Sequence, residues 1–205
     1  MVEEAVPTRR RAGRLTSAGT IREAAAALFL EKGYQATSMD DIAAAAQVSK
    51  QTIYTHFANK QELFGDLVLG NADRVEAFIA GLNVGDDVEE GLTRLAREYV
   101  RFVSRPEVLR LRRLVIAEAS RFPDVARTYY ERVPERVTAA FAALFRRLTD
   151  EGRLHASNPD VAAQHFVWLA LGVALDRGMF TSALPTSDLE RSADSAVRVF
   201  LAAYR

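Results

Sequence analysis

The chain has 205 residues, with 27 Lys and Arg against 27 Asp and Glu, no cysteine and 49% hydrophobic side chains. Without cysteine there is no disulfide framework, no thiol nucleophile and no Cys-ligated zinc site. A net charge of zero means that any nucleic-acid partner must be held by a local patch rather than by bulk charge.

Met1–Thr8 carries two acids, and no apolar run follows it as in a secretory signal. The longest apolar run, the ten residues Phe166–Leu175, is about half of what a bilayer-spanning helix needs. A cytoplasmic protein with no membrane partner is therefore expected. Abundant alanine, scarce Gly and Pro, and the lack of period-two alternation predict an all-α fold.

Residues 1–17 lack an apolar face and hold Arg9, Arg10, Arg11 and Arg14. They read as a flexible basic arm, either merely solvated or able to follow phosphates and enter a minor groove. A first helix is expected after Thr20, with Ile21, Ala24, Ala25, Leu28 and Phe29 on one face and Gly33 ending it. Ser38 and Asp41 have capping-box spacing, with Asp in place of Glu, and open a short helix, Met39–Ala46. Gln47-Val48 makes a turn, Ser49 is the N-cap of a second short helix through Phe57, and Asn59 with Glu62 caps a third that runs on towards Ile79. The domains are drawn as 1–17, 18–66 and 67–205, the last boundary lying inside the connecting helix. Further helices are expected over 87–104, 107–121, 123–152, 159–180 and 187–204. Pro106, Pro123, Pro159 and Pro185 lie at or beside helix starts, whereas Pro134 should kink or split its helix.

Two short helices joined by a tight turn and propped by a preceding helix make a helix-turn-helix. Val48, Ile53 and Phe57 can pack inward, leaving Lys50, Gln51, Thr52, Thr55 and His56 to face a major groove. Tyr54 either packs its ring or also donates its hydroxyl to a phosphate. His56 is a base or phosphate contact, or else a cation at the helix C-terminus. No acid occurs between Asp41 and Glu62, a gap that suits phosphate contact, and Lys50, Lys60 and the arginines of the arm supply positive charge.

The segment Ile21–Leu67 resembles the DNA-binding domain of TetR-family transcriptional regulators. The likeness rests on Ala24-Ala-Ala-Ala-Leu-Phe, Lys32-Gly-Tyr, Thr37-Ser-Met-Asp-Asp-Ile-Ala, Val48-Ser-Lys-Gln-Thr-Ile-Tyr-Thr-His-Phe, Asn59-Lys and Leu63-Phe. Gln47 departs from the pattern, which often has glycine in the turn. The resemblance implies a homodimer bound to double-stranded palindromic operator DNA, repression, and release by a small hydrophobic or amphipathic effector. The expected DNA contacts are Arg10, Arg11, Arg14, Thr37, Ser38, Ser49, Lys50, Gln51, Thr52, Tyr54, Thr55, His56 and Lys60. Residues Leu109–Val133 are similar to the AefR-like branch of the family.

Family analogy places an effector pocket among the later helices, with Phe78, Tyr99, Phe102, Glu118, Phe122, Tyr129, Phe141, Phe145, His165 and Trp168 as candidate walls. The same aromatics can equally be core residues. The basic run Arg110, Arg112 and Arg113 reads as a solvated face. Val161, His165, Trp168, Leu169, Gly172, Leu175, Val197, Phe200 and Leu201 are candidates for a dimer interface made by the last two helices, or else for the monomer core.

An enzyme is the competing class. It is disfavoured because His56, His155 and His165 have no metal-ligand spacing and no phosphate loop or paired carboxylates occur. No cofactor or metal is expected. A helical scaffold would leave the acid-free segment unexplained.

Overall fold

The computed structural model describes the backbone of residues 9–70, 72–181 and 185–205, and the side chains of residues 17–70, 75–181 and 185–205. Every regular element among the described residues is helical. The chain divides into two compact units, 1–70 and 71–205.

The first unit contains α1 (Arg9–Lys32), α2 (Met39–Ala45), α3 (Lys50–His56) and α4 (Lys60–Leu69). Helix α1 starts at Arg9 rather than after Thr20. The Thr20 hydroxyl does not cap a helix start but donates to the Ser17 carbonyl within the helix, at 3.0 Å. The core is built on Ile21, Phe29, Ile42, Ile53, Leu63 and Phe64, all buried. The rings of Phe29, Tyr34 and Phe64 meet with centroids 5.1–5.8 Å apart. Arg22 ties the bundle from outside: its guanidinium bonds Asp66 of α4 at 2.5 Å and lies 5.9 Å from the Phe57 ring.

The turn between α2 and α3 is a Schellman motif. The Val48 amide donates to the Ala43 carbonyl at 3.0 Å and the Gln47 amide to Ala44 at 3.1 Å. Gln47 has φ +55°, the left-handed conformation that glycine adopts without a Cβ penalty. The position where the sequence departs from its relatives' pattern is thus a position of backbone strain.

The second unit contains α5 (Ala72–Ala80), α6 (Val88–Val103), α7 (Pro106–Glu118), α8 (Pro123–Tyr130), a π-helical turn Glu131–Glu135, α9 (Arg136–Asp150), α10 (Pro159–Phe180) and α11 (Thr186–Tyr204). The single helix expected from Asn59 to Ile79 is two helices: α4 ends at Leu69 with Gly70 as its C-cap, and α5 begins at Ala72. Pro134 widens the helix expected over 123–152 into the π turn. It has no N–H to give, and its ring would crowd the carbonyl four residues back.

The core of this unit runs through Leu92, Leu95, Phe141, Phe145, Phe166 and Phe200, with Phe141–Phe166 and Phe145–Phe200 ring centroids both 4.9 Å apart. Two ion pairs join α6 to α11. Arg97 grips Asp194 in a bidentate pair at 2.6 and 2.7 Å, and Arg101 bonds Glu190. Before α6 the chain folds back so closely that a Cβ on Gly91 would lie 2.1 Å from the Val84 carbonyl oxygen. Only glycine fits there.

Candidate DNA-binding face and effector cavity

Short-range caps position α3. Ser49 is the N-cap of α3; its hydroxyl accepts the Thr52 amide at 3.0 Å and lies 2.8 Å from the Thr52 hydroxyl. The Thr55 hydroxyl donates to the Gln51 carbonyl at 2.7 Å. Ile53 is wholly buried, and the opposite face carries Lys50, Gln51, Tyr54 and Thr55, all exposed, with Thr52 and His56 half-buried. Tyr54 is 51% exposed, so its ring is not a core element. A polar face held against a buried isoleucine can be inserted into a groove without disturbing the core.

Ser38 forms a reciprocal capping box with Asp41. Its hydroxyl accepts the Asp41 amide at 3.0 Å, and the carboxylate accepts the Ser38 amide at 2.9 Å and hydroxyl at 2.6 Å. These bonds to Ser38 hold the Asp41 carboxyl below the usual carboxylate range. Asn59 accepts the Glu62 amide at 2.9 Å, while the Glu62 carboxylate accepts from Ala58, one residue before the cap.

Three side chains are placed differently from the expectation. Thr37 is buried, and its hydroxyl donates to the Gly33 carbonyl at 2.9 Å, so that hydroxyl faces the protein and not a phosphate. Lys60 is half-buried: its ammonium donates to the carbonyls of Tyr34 at 2.8 Å and Thr37 at 2.7 Å and lies 4.3 Å from the Tyr34 ring centre. It pins the segment between α1 and α2. Lys50 lies 2.6 Å from the Asp40 carboxylate, which raises its pKa. The segment free of acids in sequence is therefore not free of them in space. Both partners are well exposed, so this pair is weak and easily opened by a competing phosphate. Arg10, Arg11 and Arg14 fall within α1, and their side chains lie outside the described residues.

The second unit holds a partly open cavity of about 70 Å³. Tyr99, Phe102, Tyr129 and Trp168 line it, with Tyr130, Arg112 and Thr138 as further polar-bearing walls. The other candidate wall residues lie elsewhere. Phe78 stacks behind Tyr99, its ring centre 5.2 Å away, and Phe141 and Phe145 fill the core. Glu118 and Phe122 lie outside the lining, and His165 opens onto a different surface. Burial pushes the Tyr99 and Tyr129 hydroxyls up. The Arg112 guanidinium partly offsets this, by its charge at Tyr99 and by charge and hydrogen bonding at Tyr129.

The basic run is not a uniform solvated face. Arg110 is exposed, while Arg112 enters the cavity wall. Arg113 donates to the Gly178 carbonyl at 2.6 Å and to Thr181 at 3.3 Å, meeting the C-terminal end of α10.

Helices α10 and α11 present an apolar outer face. Val161, Trp168, Leu169, Val173 and Val199 are between 38% and 57% exposed, and Trp168, Leu169 and Val199 border a surface groove of about 570 Å³ that also includes His165, Phe200 and Tyr204. His165 Nδ1 lies 2.6 Å from the Tyr204 hydroxyl. Leu175, Val197, Phe200 and Leu201, expected at this face, are buried within the unit itself, and Gly172 is half-buried. Val173 and Val199 were not among the expected residues; for Val173 the reason is that apolar residues are spread around α10, so its sequence does not reveal which side turns inward.

A helix-turn-helix on an all-helical chain whose second unit holds a cavity defines a class of regulator, and comparison with known proteins agrees. Residues 21–67 match the family described as bacterial regulatory proteins, tetR family, and residues 90–205 match the AefR-like transcriptional repressor C-terminal domain. The chain belongs to the TetR family and carries an AefR-like C-terminal domain. It is a DNA-binding regulator and not an enzyme.

Among solved structures, it is similar to a TetR-family regulator from Mesorhizobium loti MAFF303099, with 39% identity, 97% of this chain and 99% of that chain covered, and a TM-score of 0.86. It is also similar to the Flavonoid-responsive Regulator FrrA, with 30% identity, 92% and 97% covered, and a TM-score of 0.76. The HTH-type transcriptional regulator YezE of Bacillus subtilis is 26% identical over 140 residues, 66% of this chain and 72% of YezE. No helix among the described residues is long and apolar enough to cross a membrane, and none of their His, Asp and Glu side chains form a group of three or more that could hold a metal ion.

Proposed function

We propose that the protein is a cytoplasmic repressor that binds a palindromic operator as a homodimer and is released from it by a small molecule. The observation that carries this reading is the exposed face of α3, where Gln51, Tyr54 and Thr55 project from a helix fixed by its Ser49 cap and its buried Ile53. Gln51 and Thr52, near the helix N-terminus, are the base readers. Ser49, Tyr54, Thr55 and His56 hold phosphates, together with Lys50 once Asp40 gives it up. Ser38 acts beside them at the start of α2, and Arg10, Arg11 and Arg14 add phosphate or minor-groove contacts.

The apolar face of α10 and α11 supports pairing of two copies, since a patch of that kind is seldom left in water. The cavity supports an effector, and a relative described as flavonoid-responsive supports response to a small molecule. Two reading helices of a dimer must enter grooves about 34–36 Å apart when half-sites are one turn apart. An effector that favours another spacing releases DNA, and by linkage DNA weakens the effector's binding by the same factor.

Gln51→Ala and Tyr54→Phe test the assignment of α3. Gln51→Ala changes base preference at one position of each half-site by about 1–3 kcal/mol. Tyr54→Phe lowers affinity for all duplexes alike. Unaltered preference and affinity in both variants would remove α3 as the reading element.

A further inference from the structure

Among the described residues, the lining of the effector cavity holds one charged side chain, the half-buried Arg112, and no Asp or Glu. The nearest polar groups are the tyrosines. Burial keeps the Tyr99 and Tyr129 hydroxyls protonated at neutral pH, so neither supplies a compensating phenolate. Other arginines of this unit have carboxylate partners, as Arg97 has Asp194 and Arg136 has Glu76. Of Arg112's neighbours in the basic run, Arg113 is spent on the carbonyls of Gly178 and Thr181 and Arg110 faces water. A guanidinium withdrawn from water without a counter-ion is unfavourable, and a planar carboxylate is the group that its fork of donors fits best.

Beside Arg112, the tyrosines and Thr138, the wall is apolar, with Val75, Val103, Val133, Val137, Leu171 and Leu175 among its members. We propose that Arg112 makes this cavity a site for small apolar monocarboxylates, the guanidinium pairing with the carboxylate of the effector. The inference rests on the reading of the cavity as the effector site and adds the chemical class of its occupant.

Size sets the shape of that occupant. A cavity of about 70 Å³ is smaller than the roughly 150 Å³ that accepts benzene. A short alkyl chain enters most readily, and an aryl group requires lining side chains to swing out. Tyr130 is 57% exposed, so little packing opposes its movement. Trp168 is the one tryptophan of the chain, and its fluorescence reports occupancy.

The test is calorimetric titration of the full chain with straight-chain acids from acetate to octanoate, benzoate and 3-phenylpropionate, each compared with its primary amide, with Trp168 fluorescence followed in parallel. At least one acid should bind about tenfold more tightly than its amide, the size of one charge-assisted pair. Arg112→Met should bring that ratio to near one while leaving amide binding in place, and Arg112→Lys should keep part of it. Equal binding of acids and amides to the unaltered chain, or an acid preference that survives in Arg112→Met, overturns the inference and leaves the effector cavity standing. If no member of either series binds, the reading of the cavity as an effector site fails, and the inference with it.

Discussion

The two units of this chain place their working side chains in opposite surroundings. In residues 1–70 they stand on an exposed rim, and the bonds that orient them span three or four positions: Ser38 to Asp41, Ser49 to Thr52, Gln51 to Thr55, Asn59 to Glu62. In residues 71–205 they turn inward around a cavity whose wall draws side chains from α5 through α10. A reading surface of the first kind is rigid because each cap fixes its own helix start. A cavity of the second kind exists only when the whole unit is packed. Damage to that packing should therefore cost more than damage to a cap.

Gly91→Ala gives the largest expected effect. The new methyl would stand 2.1 Å from a backbone oxygen of Val84, where no side chain can move aside. The expected loss is roughly 3 kcal/mol or more, read from the denaturant midpoint, with the Trp168 signal of the cavity altered as well. A loss under about 1 kcal/mol would show that the segment before α6 relaxes freely, and the contrast between the units would weaken.

Lys60→Met probes a long-range contact within the first unit. The ammonium reaches carbonyls 26 and 23 positions earlier in the chain, and its removal should cost about 1–2 kcal/mol, reduced by partial exposure. If pinning that segment is its role, the salt dependence of DNA affinity keeps its slope. A slope lower by about one phosphate contact, with stability unchanged, would assign Lys60 to the DNA instead.

Gln47→Gly is the smallest effect and has the opposite sign. Relief of the left-handed strain at φ +55° should outweigh the entropy of the added glycine by about 0.5 kcal/mol and raise the thermal midpoint. An unchanged or lower midpoint would mean that the Gln47 side chain contributes contacts that offset its strain.

These contrasts also explain what could be read from the sequence. The helix-turn-helix was legible because its determinants are local: a cap hydroxyl three residues before the amide it serves needs no knowledge of the rest of the fold. The break at Gly70 was read through, since one glycine in a helical pattern is often tolerated. The Lys60 carbonyls and the Asp40–Lys50 pair were invisible because they join residues ten or more positions apart. In the second unit the candidate pocket aromatics divided between wall and core, as Tyr99 and Phe141 illustrate. Periodicity reports that a helix face is buried, not what it is buried against. Arg112 was misread for the same reason: a basic run at helical spacing looks solvated until the fold turns one member inward.

The central claim is that α3 reads duplex sequence from two copies of the chain. Selection of bound duplexes from a random pool by the full protein tests it most directly. The account predicts enrichment of an inverted repeat whose half-site centres lie one turn of DNA, about 10 base pairs, or a multiple of it apart. A pool left unenriched after selection, or one enriched only in a single asymmetric half-site, would contradict it.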